Sequence, residues 1–368
     1  MLEQVSEFVC LGCAFSRDER YTADIERRVN LGNNFHLFRS LQNSLGSVRL
    51  TSREDCQNHL SQFFDQKPQN FYSNGITSFT YEMAKMTETS EKNSKKMLRL
   101  KPFKRTFIMS ARYPDLVQLV HAGFSFEGRQ IKYLKISTTN FNNITKPIYF
   151  MNAMIHAREW VTTPVTIYSV FRLVENLRSE DRDLLQDVDW IILPIVNPDG
   201  YEYSHTDFRL WRRTRSVNLT NSVDCVGVDG NRNFDVSFNT VGVSSNPCSD
   251  VYPGPEAFSE PETRIVRDIL LEYLDRIQLY LDIHSHGNYV LFGFGNQTVP
   301  SNAAQVHHVG AAMGAVIDTM KLPEAGYYLV GNSASVLYGS SGSAQDYGQV
   351  REIYSNRFIK YFRVTIAI

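Results

Sequence analysis

Two polar clusters in the sequence contain residue types that can bind a metal ion. They are His156–Trp160 and Asp282–His286. Zinc favours histidine nitrogen and carboxylate oxygen, and a catalytic zinc ion keeps three protein ligands and one position for water. His156 and Glu159, three residues apart on one turn, would supply two of these ligands, and the distant His284 would supply the third.

Two alternatives stay open at this point. The two histidines could be ordinary residues at the ends of strands, because an H-x-x-E spacing is weak evidence when taken alone. If His284 does bind a metal, either Asp282 or a backbone carbonyl could orient a ligand histidine. A third polar cluster, Asp229–Phe234, lies just beyond Cys225.

The elements around these clusters predict how the clusters are brought together. His156 follows the apolar run Pro147–Ile155, and His284 ends the strand pattern Gln278–His284. Strands that alternate with helices predict an α/β fold, a mostly parallel mixed sheet flanked by helices. Ligands bind outside the carboxyl ends of such strands. The other predicted elements are strands at Ile131–Ile136 and Trp190–Val196, a turn at Asn197–Gly200, helices at Thr163–Leu177, Glu260–Tyr273 and Ser301–Met320, and a final apolar run at Val364–Ile368.

Composition excludes several classes of protein. The 368 residues are 42% hydrophobic and 12% aromatic, which is enough for a sizeable core. The formal net charge of −1 argues against a nucleic-acid-binding protein. No run of 18 apolar residues occurs, so we expect no membrane-spanning helix. The five cysteines cannot form one closed set of disulfides, because their number is odd.

The N-terminal third differs from the rest of the chain. Residues 1–105 are polar and irregular, and they end in a basic run between Lys92 and Arg105 that a trypsin-like protease would cut. The first residues carry early acidic residues and no basic segment, so they do not look like a secretory signal. We expect residues 1–105 to be a separate N-terminal region that ends in a basic linker, and residues 106–368 to be the regular α/β domain.

Taken together, the clusters resemble the zinc metallocarboxypeptidases of the pancreatic carboxypeptidase A/B type. The similarity runs in the family's order from about Tyr113 to Tyr347. The matching stretches include IHAREWVTTP, PIVNPDGYEYS, RLWRRTR, CVGVDGNRNFD, YPGPEAFSEPET, LDIHSH and LYGSSGSAQDY. The resemblance implies a His₂Glu site that binds one Zn²⁺ per chain, as in carboxypeptidase A. His156, Glu159 and His284 match its ligands.

The resemblance also assigns roles in substrate binding. Asn231 and Arg232 match the pair that holds the terminal carboxylate of the substrate, which a guanidinium can grip with two hydrogen bonds. Tyr338 resembles the tyrosine that closes over the bound C-terminus. Arg212 resembles the arginine that stabilises the developing oxyanion. Arg158 resembles a second arginine that faces the carboxylate.

Two further features follow from the same resemblance. Cys225 and Cys248 match the family's loop disulfide, and a disulfide would indicate an oxidising, extracellular location. Gln345 occupies the position that selects the side chain of the terminal residue. An acidic residue there would select Lys or Arg, so the neutral Gln345 predicts neutral side chains.

The C-terminal segment departs from the family. The family's general base is a glutamate on a late strand, and the alignment places Ala367 at that position. The resemblance therefore predicts that residues 106–368 are a zinc carboxypeptidase-like catalytic domain that is truncated at its C-terminus, with little or no turnover. It also predicts that residues 1–105 could hold a remnant of the family's prodomain. The alternative is a non-catalytic zinc module that binds peptide C-termini. In either case the expected partners are peptide or protein C-termini and an activating trypsin-like protease, and the protein is expected to be a secreted monomer.

Overall fold

A computed structural model describes residues 108–217, 225–319, 321, 325–355 and 360–366, with side chains up to residue 350. Its strands are β1 (Val117–Phe124), β2 (Gln130–Ile136), β3 (Ile148–Ala153), β4 (Asp189–Leu193), β5 (Ile277–Ser285), β6 (Tyr289–Phe292), β7 (Leu329–Asn332) and β8 (Lys360–Ile366). Its helices are α1 (Thr162–Glu175), α2 (Asp183–Gln186), α3 (Pro198–Thr206), α4 (Pro261–Glu272), α5 (Ala303–Asp318), α6 (Ser333–Val336) and α7 (Ala344–Ser355), with 3₁₀ turns at Ser179–Asp181 and Gly230–Arg232.

The eight strands form one mixed sheet in the order β1-β2-β4-β3-β5-β8-β6-β7. The central strands β4, β3, β5 and β8 are parallel to one another. The pairs β1–β2, β2–β4 and β6–β8 are antiparallel. The predicted mixed α/β sheet with a parallel core is therefore confirmed.

Helices cover both faces of this sheet. Along β3, Met151 and Ala153 point to one face, whereas Ile148 and Phe150 point to the other, because side chains alternate along a strand. The first face packs against apolar residues of α1 and α5, and the second packs against those of α4 and α7. The carboxyl ends of β3 and β5 lie side by side between these layers, with Ala153 paired to Ile283.

Most predicted elements are present, with different boundaries. The predicted strand at Pro147–Ile155 ends at Ala153, and the predicted strand at Trp190–Val196 ends at Leu193. The turn prediction at Asn197–Gly200 was wrong. Asn197 caps helix α3, because its side chain accepts a hydrogen bond from the Gly200 N–H and Pro198 occupies the first helical position. The first three residues of the final apolar run, residues 364–366, are part of β8, whose last described residue is Ile366.

Candidate metal centre and active site

A sharp turn after β3 presents the first two predicted ligands. Met154 has φ +60° and is fully buried. This left-handed conformation costs a non-glycine residue about 1–2 kcal/mol, and such residues concentrate at functional sites. The chain then turns at His156, whose carbonyl accepts a hydrogen bond from the Glu159 N–H at 3.2 Å. His156 and Glu159 thus lie on one turn, as the sequence predicts.

His156, Glu159 and His284 form one buried group, and among the described residues it is the group of donors suited to a metal ion. The Nδ1 atom of His156 lies 2.8 Å from Oε1 of Glu159. The Nδ1 atom of His284 lies 3.0 Å from Oε2 of Glu159 and 3.0 Å from Nδ1 of His156. Three potential donor atoms therefore converge on one point.

Two buried carboxylates fix the orientation of the imidazole rings. Oδ1 of Asp229 accepts a hydrogen bond from Nε2 of His156 at 3.0 Å. Oδ2 of Asp282 accepts one from Nε2 of His284 at 2.7 Å. A proton on each Nε2 leaves both Nδ1 atoms with a free lone pair, and metal-binding histidines are commonly held in this way.

Burial and neighbouring charges set the protonation of this group. Burial and the nearby Arg212 guanidinium lower the pKa of His156, which keeps its imidazole neutral. Burial alone would raise the pKa of Glu159, but the positive charge and hydrogen bonds of His156 and His284 in their protonated form hold that pKa well below the usual value. Glu159 is thus an anion that lies next to the Nδ1 atoms of both histidines.

These residues fit a zinc ion. Zinc ligands at roughly 2.0–2.1 Å in a tetrahedral arrangement lie about 3.3 Å from one another, close to the spacing of these donors. Two lone pairs that face each other across 3.0 Å beside a carboxylate repel unless a cation lies between them. The nearby buried carboxylates of Asp229 and Asp282 add negative charge that favours a divalent cation.

Arg212, the predicted oxyanion arginine, is held against the same group. Its Nη2 atom lies 2.7 Å and its Nε atom 3.1 Å from Oδ2 of Asp229. Burial opposes the charge of Arg212, but the Asp229 carboxylate raises its pKa, so the guanidinium stays charged. Asp229 thus connects His156 to Arg212, a role that the sequence analysis missed although Asp229 lies in the third polar cluster.

The proposed carboxylate clamp lies next to the metal ligands. The side-chain Nδ2 of Asn231 is 3.3 Å from Nε2 of His284, and its Oδ1 accepts the Ala344 N–H at 2.8 Å. Arg232 is 1% exposed and donates to the carbonyls of Gly242 and Asn231. Its guanidinium carbon lies 5.8 Å from the centre of the Tyr338 ring, which is 44% exposed.

Arg158 and Gln345 lie in different environments. Arg158 is partly exposed and forms an ion pair with Asp250 at 3.0 Å. Gln345 is fully buried at the start of α7, and neither Oε1 nor Nε2 has a hydrogen-bond partner among the described residues. Burial of an amide without a hydrogen-bond partner costs free energy.

Some predictions concern other parts of the chain. The Cys225–Cys248 disulfide is present and closes the loop before Asp250. No helix within the described ranges is both long enough and apolar enough to cross a bilayer. Ala367, Cys10, Cys13 and Cys56 lie outside the described residues, as does the basic run up to Arg105.

Comparisons with known proteins agree with this arrangement. The zinc carboxypeptidase family profile matches residues 108–365. Carboxypeptidase B of Helicoverpa zea is 51% identical over 239 residues, which are 64% of this chain and 55% of that protein. Carboxypeptidase B of Astacus astacus is 37% identical over 66% of this chain and 77% of its own length. The crystal structure of carboxypeptidase A from Helicoverpa armigera superposes with a TM-score of 0.67 and 42% identity, covering 72% of this chain and 63% of that chain. This chain thus spans little more than half the length of the Helicoverpa zea relative.

Proposed function

This chain belongs to the zinc carboxypeptidase family, and from that premise we propose that it is a zinc-dependent metallocarboxypeptidase. It would hydrolyse the C-terminal peptide bond of peptides and proteins. The observation that carries this proposal is the convergence of His156, Glu159 and His284 beside the buried Arg232. This arrangement places donors for a metal ion near a guanidinium that can pair with a terminal carboxylate.

His156, Glu159 and His284 would hold one Zn²⁺ per chain. Zinc bound there would polarise the scissile carbonyl and lower the pKa of water. The charged Arg212 would stabilise the negative charge that develops on the carbonyl oxygen, because its guanidinium is buried and already fixed by Asp229. Because the Arg212 guanidinium is already held in place, it needs little rearrangement during the reaction.

Recognition of the free C-terminus is assigned to Asn231 and Arg232. A buried guanidinium and a side-chain amide can each donate to a carboxylate. The exposed Tyr338 ring next to Arg232 is suited to close over the bound residue. Arg158 would be a second arginine that faces the carboxylate, and it would exchange its ion pair with Asp250 for that contact.

Gln345 would contact the side chain of the terminal residue and determine which side chains are accepted. Its amide is neutral and fully buried, so it offers no charge to pair with Lys or Arg. We assign neutral C-terminal side chains as the preferred substrates.

The identity of Ala367 favours a second candidate function. Alanine cannot accept the proton that a glutamate would take at this position, and the loss of a general base costs on the order of 10²–10⁴-fold in rate. The second candidate is therefore a zinc-containing module that binds peptide C-termini without turnover.

Release of free amino acids from blocked dipeptides separates the two candidates. Release that a zinc chelator abolishes supports the enzyme. Binding of peptides with a free C-terminus, with no release, supports the binding module. A chain that neither binds zinc nor distinguishes free from amidated peptides would contradict both.

The wider context of this function is also a proposal. Residues 106–368 would be the catalytic domain and residues 1–105 a region removed by a trypsin-like protease. The Cys225–Cys248 disulfide supports an extracellular location, because disulfides persist in oxidising compartments. The protein would act as a monomer on peptides.

A further inference from the structure

Asn152 and Asp282 form a buried contact between two neighbouring strands. They are register partners in the parallel pair β3–β5, so their side chains lie next to each other on the same face of the sheet. Nδ2 of Asn152 donates to Oδ1 of Asp282 at 2.9 Å. Both residues are 0% exposed.

This contact continues to a metal ligand. Through its other oxygen, Asp282 accepts a hydrogen bond from Nε2 of His284 at 2.7 Å. The three side chains form a line from β3 through Asp282 to the imidazole. A carboxylate held at both ends fixes the plane of the imidazole and keeps its proton on Nε2, which directs Nδ1 toward Glu159.

The two ligand histidines are supported differently. Asp229, behind His156, is fixed by two hydrogen bonds from Arg212 and by the Asn231 N–H. Among the described side chains, Asp282 is held by Asn152 and His284. Removing Asn152 would thus remove one of these two contacts of the carboxylate that orients His284 and leave the His156 side unchanged.

The oxygen atom of the Asn152 side-chain amide also supports a functional role for this residue. Its Oδ1 atom is buried and has no hydrogen-bond partner among the described residues. An apolar residue would avoid the cost of burying that atom. The hydrogen bond that Nδ2 gives to Asp282 is the feature that an apolar residue would lack.

We propose that Asn152 is a positioning residue that acts through Asp282 to hold His284 in the orientation needed to bind the metal ion. The proposal rests on the metal site assigned under the proposed function. It predicts an effect on metal affinity and metal geometry that does not depend on turnover.

The test compares metal binding by the full chain and its variants after removal of metal with a chelator. Zinc affinity is measured by competition with a chromogenic chelator, and the site geometry is read from the absorption bands of bound Co²⁺. Asn152→Leu should weaken zinc binding about 10-fold, the lower end of the range for residues behind metal ligands, and should change the Co²⁺ spectrum. The matched control is Phe150→Leu, on the same strand and face, which loses packing against Tyr280 and should keep its zinc affinity within about twofold.

A double variant distinguishes positioning from general destabilisation. Asp282→Asn should also weaken zinc binding, and the Asn152→Leu/Asp282→Asn double variant should be no weaker than Asp282→Asn alone, because Asn152 acts through Asp282. Additive losses, or an unchanged affinity in Asn152→Leu, would overturn the proposal. If Asn152→Leu does not fold, Asn152→Ala provides the same comparison. An unmodified chain that binds no zinc contradicts the proposed function instead.

Discussion

The Nδ1 atoms of His156 and His284 face each other 3.0 Å apart, although the two residues are 128 positions apart in the chain. Each ring is turned this way because its Nε2 donates to a buried carboxylate. Without a cation between them the two lone pairs and the Glu159 carboxylate repel, so the arrangement is that of a preformed metal site.

The first prediction is therefore that the folded chain binds about one Zn²⁺, as a His₂Glu site should. His156→Ala and Glu159→Ala each remove one of three ligands and should lose most of the bound metal. Metal analysis after dialysis measures the effect. His121→Ala, on the exposed side of β1, is the matched control and should retain zinc. Full retention of zinc in both ligand variants would contradict the assignment.

The grouping of His156, Glu159 and His284 could be predicted from the sequence because the signals for it lie in short stretches of the chain. The spacing of His156 and Glu159 places them on one turn, and the apolar runs before His156 and His284 predict parallel strands that end at the same edge. The contacts of Asp229 and Asn152 could not be predicted in the same way. Asp229 lies 73 residues from His156, and the Asn152–Asp282 contact depends on the register between β3 and β5.

Other differences have similarly specific causes. The stretch Asn197–Gly200 was interpreted as a turn because Asn, Pro, Asp and Gly are typical turn residues, yet the same residues also begin a helix. The short strands β6 and β7 escaped prediction because four residues carry too little periodicity. The sequence also gave no indication that Gln345 is fully buried.

The second prediction concerns recognition of the substrate carboxylate by Arg232. Peptides with a free C-terminus should bind the zinc-loaded chain more tightly than the same peptides amidated. In Arg232→Met this difference should largely disappear, because the loss of a buried charge partner costs about 2–5 kcal/mol. Isothermal titration calorimetry with free and amidated forms of the same peptides measures this difference in affinity. The exposed Arg182→Met is the control, and equal affinities for both peptides in the unmodified chain would show that Arg232 is not the anchor.

A third prediction follows from the burial of Gln345. Gln345→Asp places a carboxylate where a neutral amide lies, and a buried charge is stabilised by an opposite charge. The variant should therefore gain affinity for peptides that end in Lys or Arg over those that end in Leu, by roughly tenfold or more. Competition binding to the zinc-loaded chain measures the ratio. Gln345→Leu is the matched neutral control. If the ratio of affinities for basic and apolar C-termini is equal in both variants, the terminal side chain does not contact position 345.

The fourth prediction is a dependence of stability on pH through Glu262. Burial, with the nearby Glu260 carboxylate, raises the pKa of Glu262 to about 8. The folded state thus keeps a proton that the unfolded chain releases near pH 4.5, so the free energy of unfolding falls as pH rises from about 4.5 to 8. At roughly 1.4 kcal/mol per pKa unit, the loss reaches at most about 4–5 kcal/mol.

Urea unfolding of Glu262→Gln at pH 5, 7 and 9 measures this effect. The variant should match the unmodified chain at pH 5 and exceed its stability at pH 9, because a neutral amide has no proton to lose. Glu256→Gln, an exposed residue of the preceding loop, should keep the original pH dependence. An identical pH dependence in Glu262→Gln and the unmodified chain would show that Glu262 is ionised in the folded state.

The last prediction concerns turnover and the alanine at position 367. Under the proposed function the chain would combine donors for zinc, an arginine for the oxyanion and a clamp for the carboxylate, and the family resemblance places Ala367 where the general base belongs. We expect release of amino acids from a blocked dipeptide to be at least about 10²-fold slower than in an enzyme with that base. Ala367→Glu should increase release more than Ala367→Gln, because the two side chains have similar shape and the carboxylate is the stronger proton acceptor. Misplacement by about 1 Å would limit the gain. Rapid, chelator-sensitive release from the unmodified chain would contradict this prediction and assign the role of base to another residue.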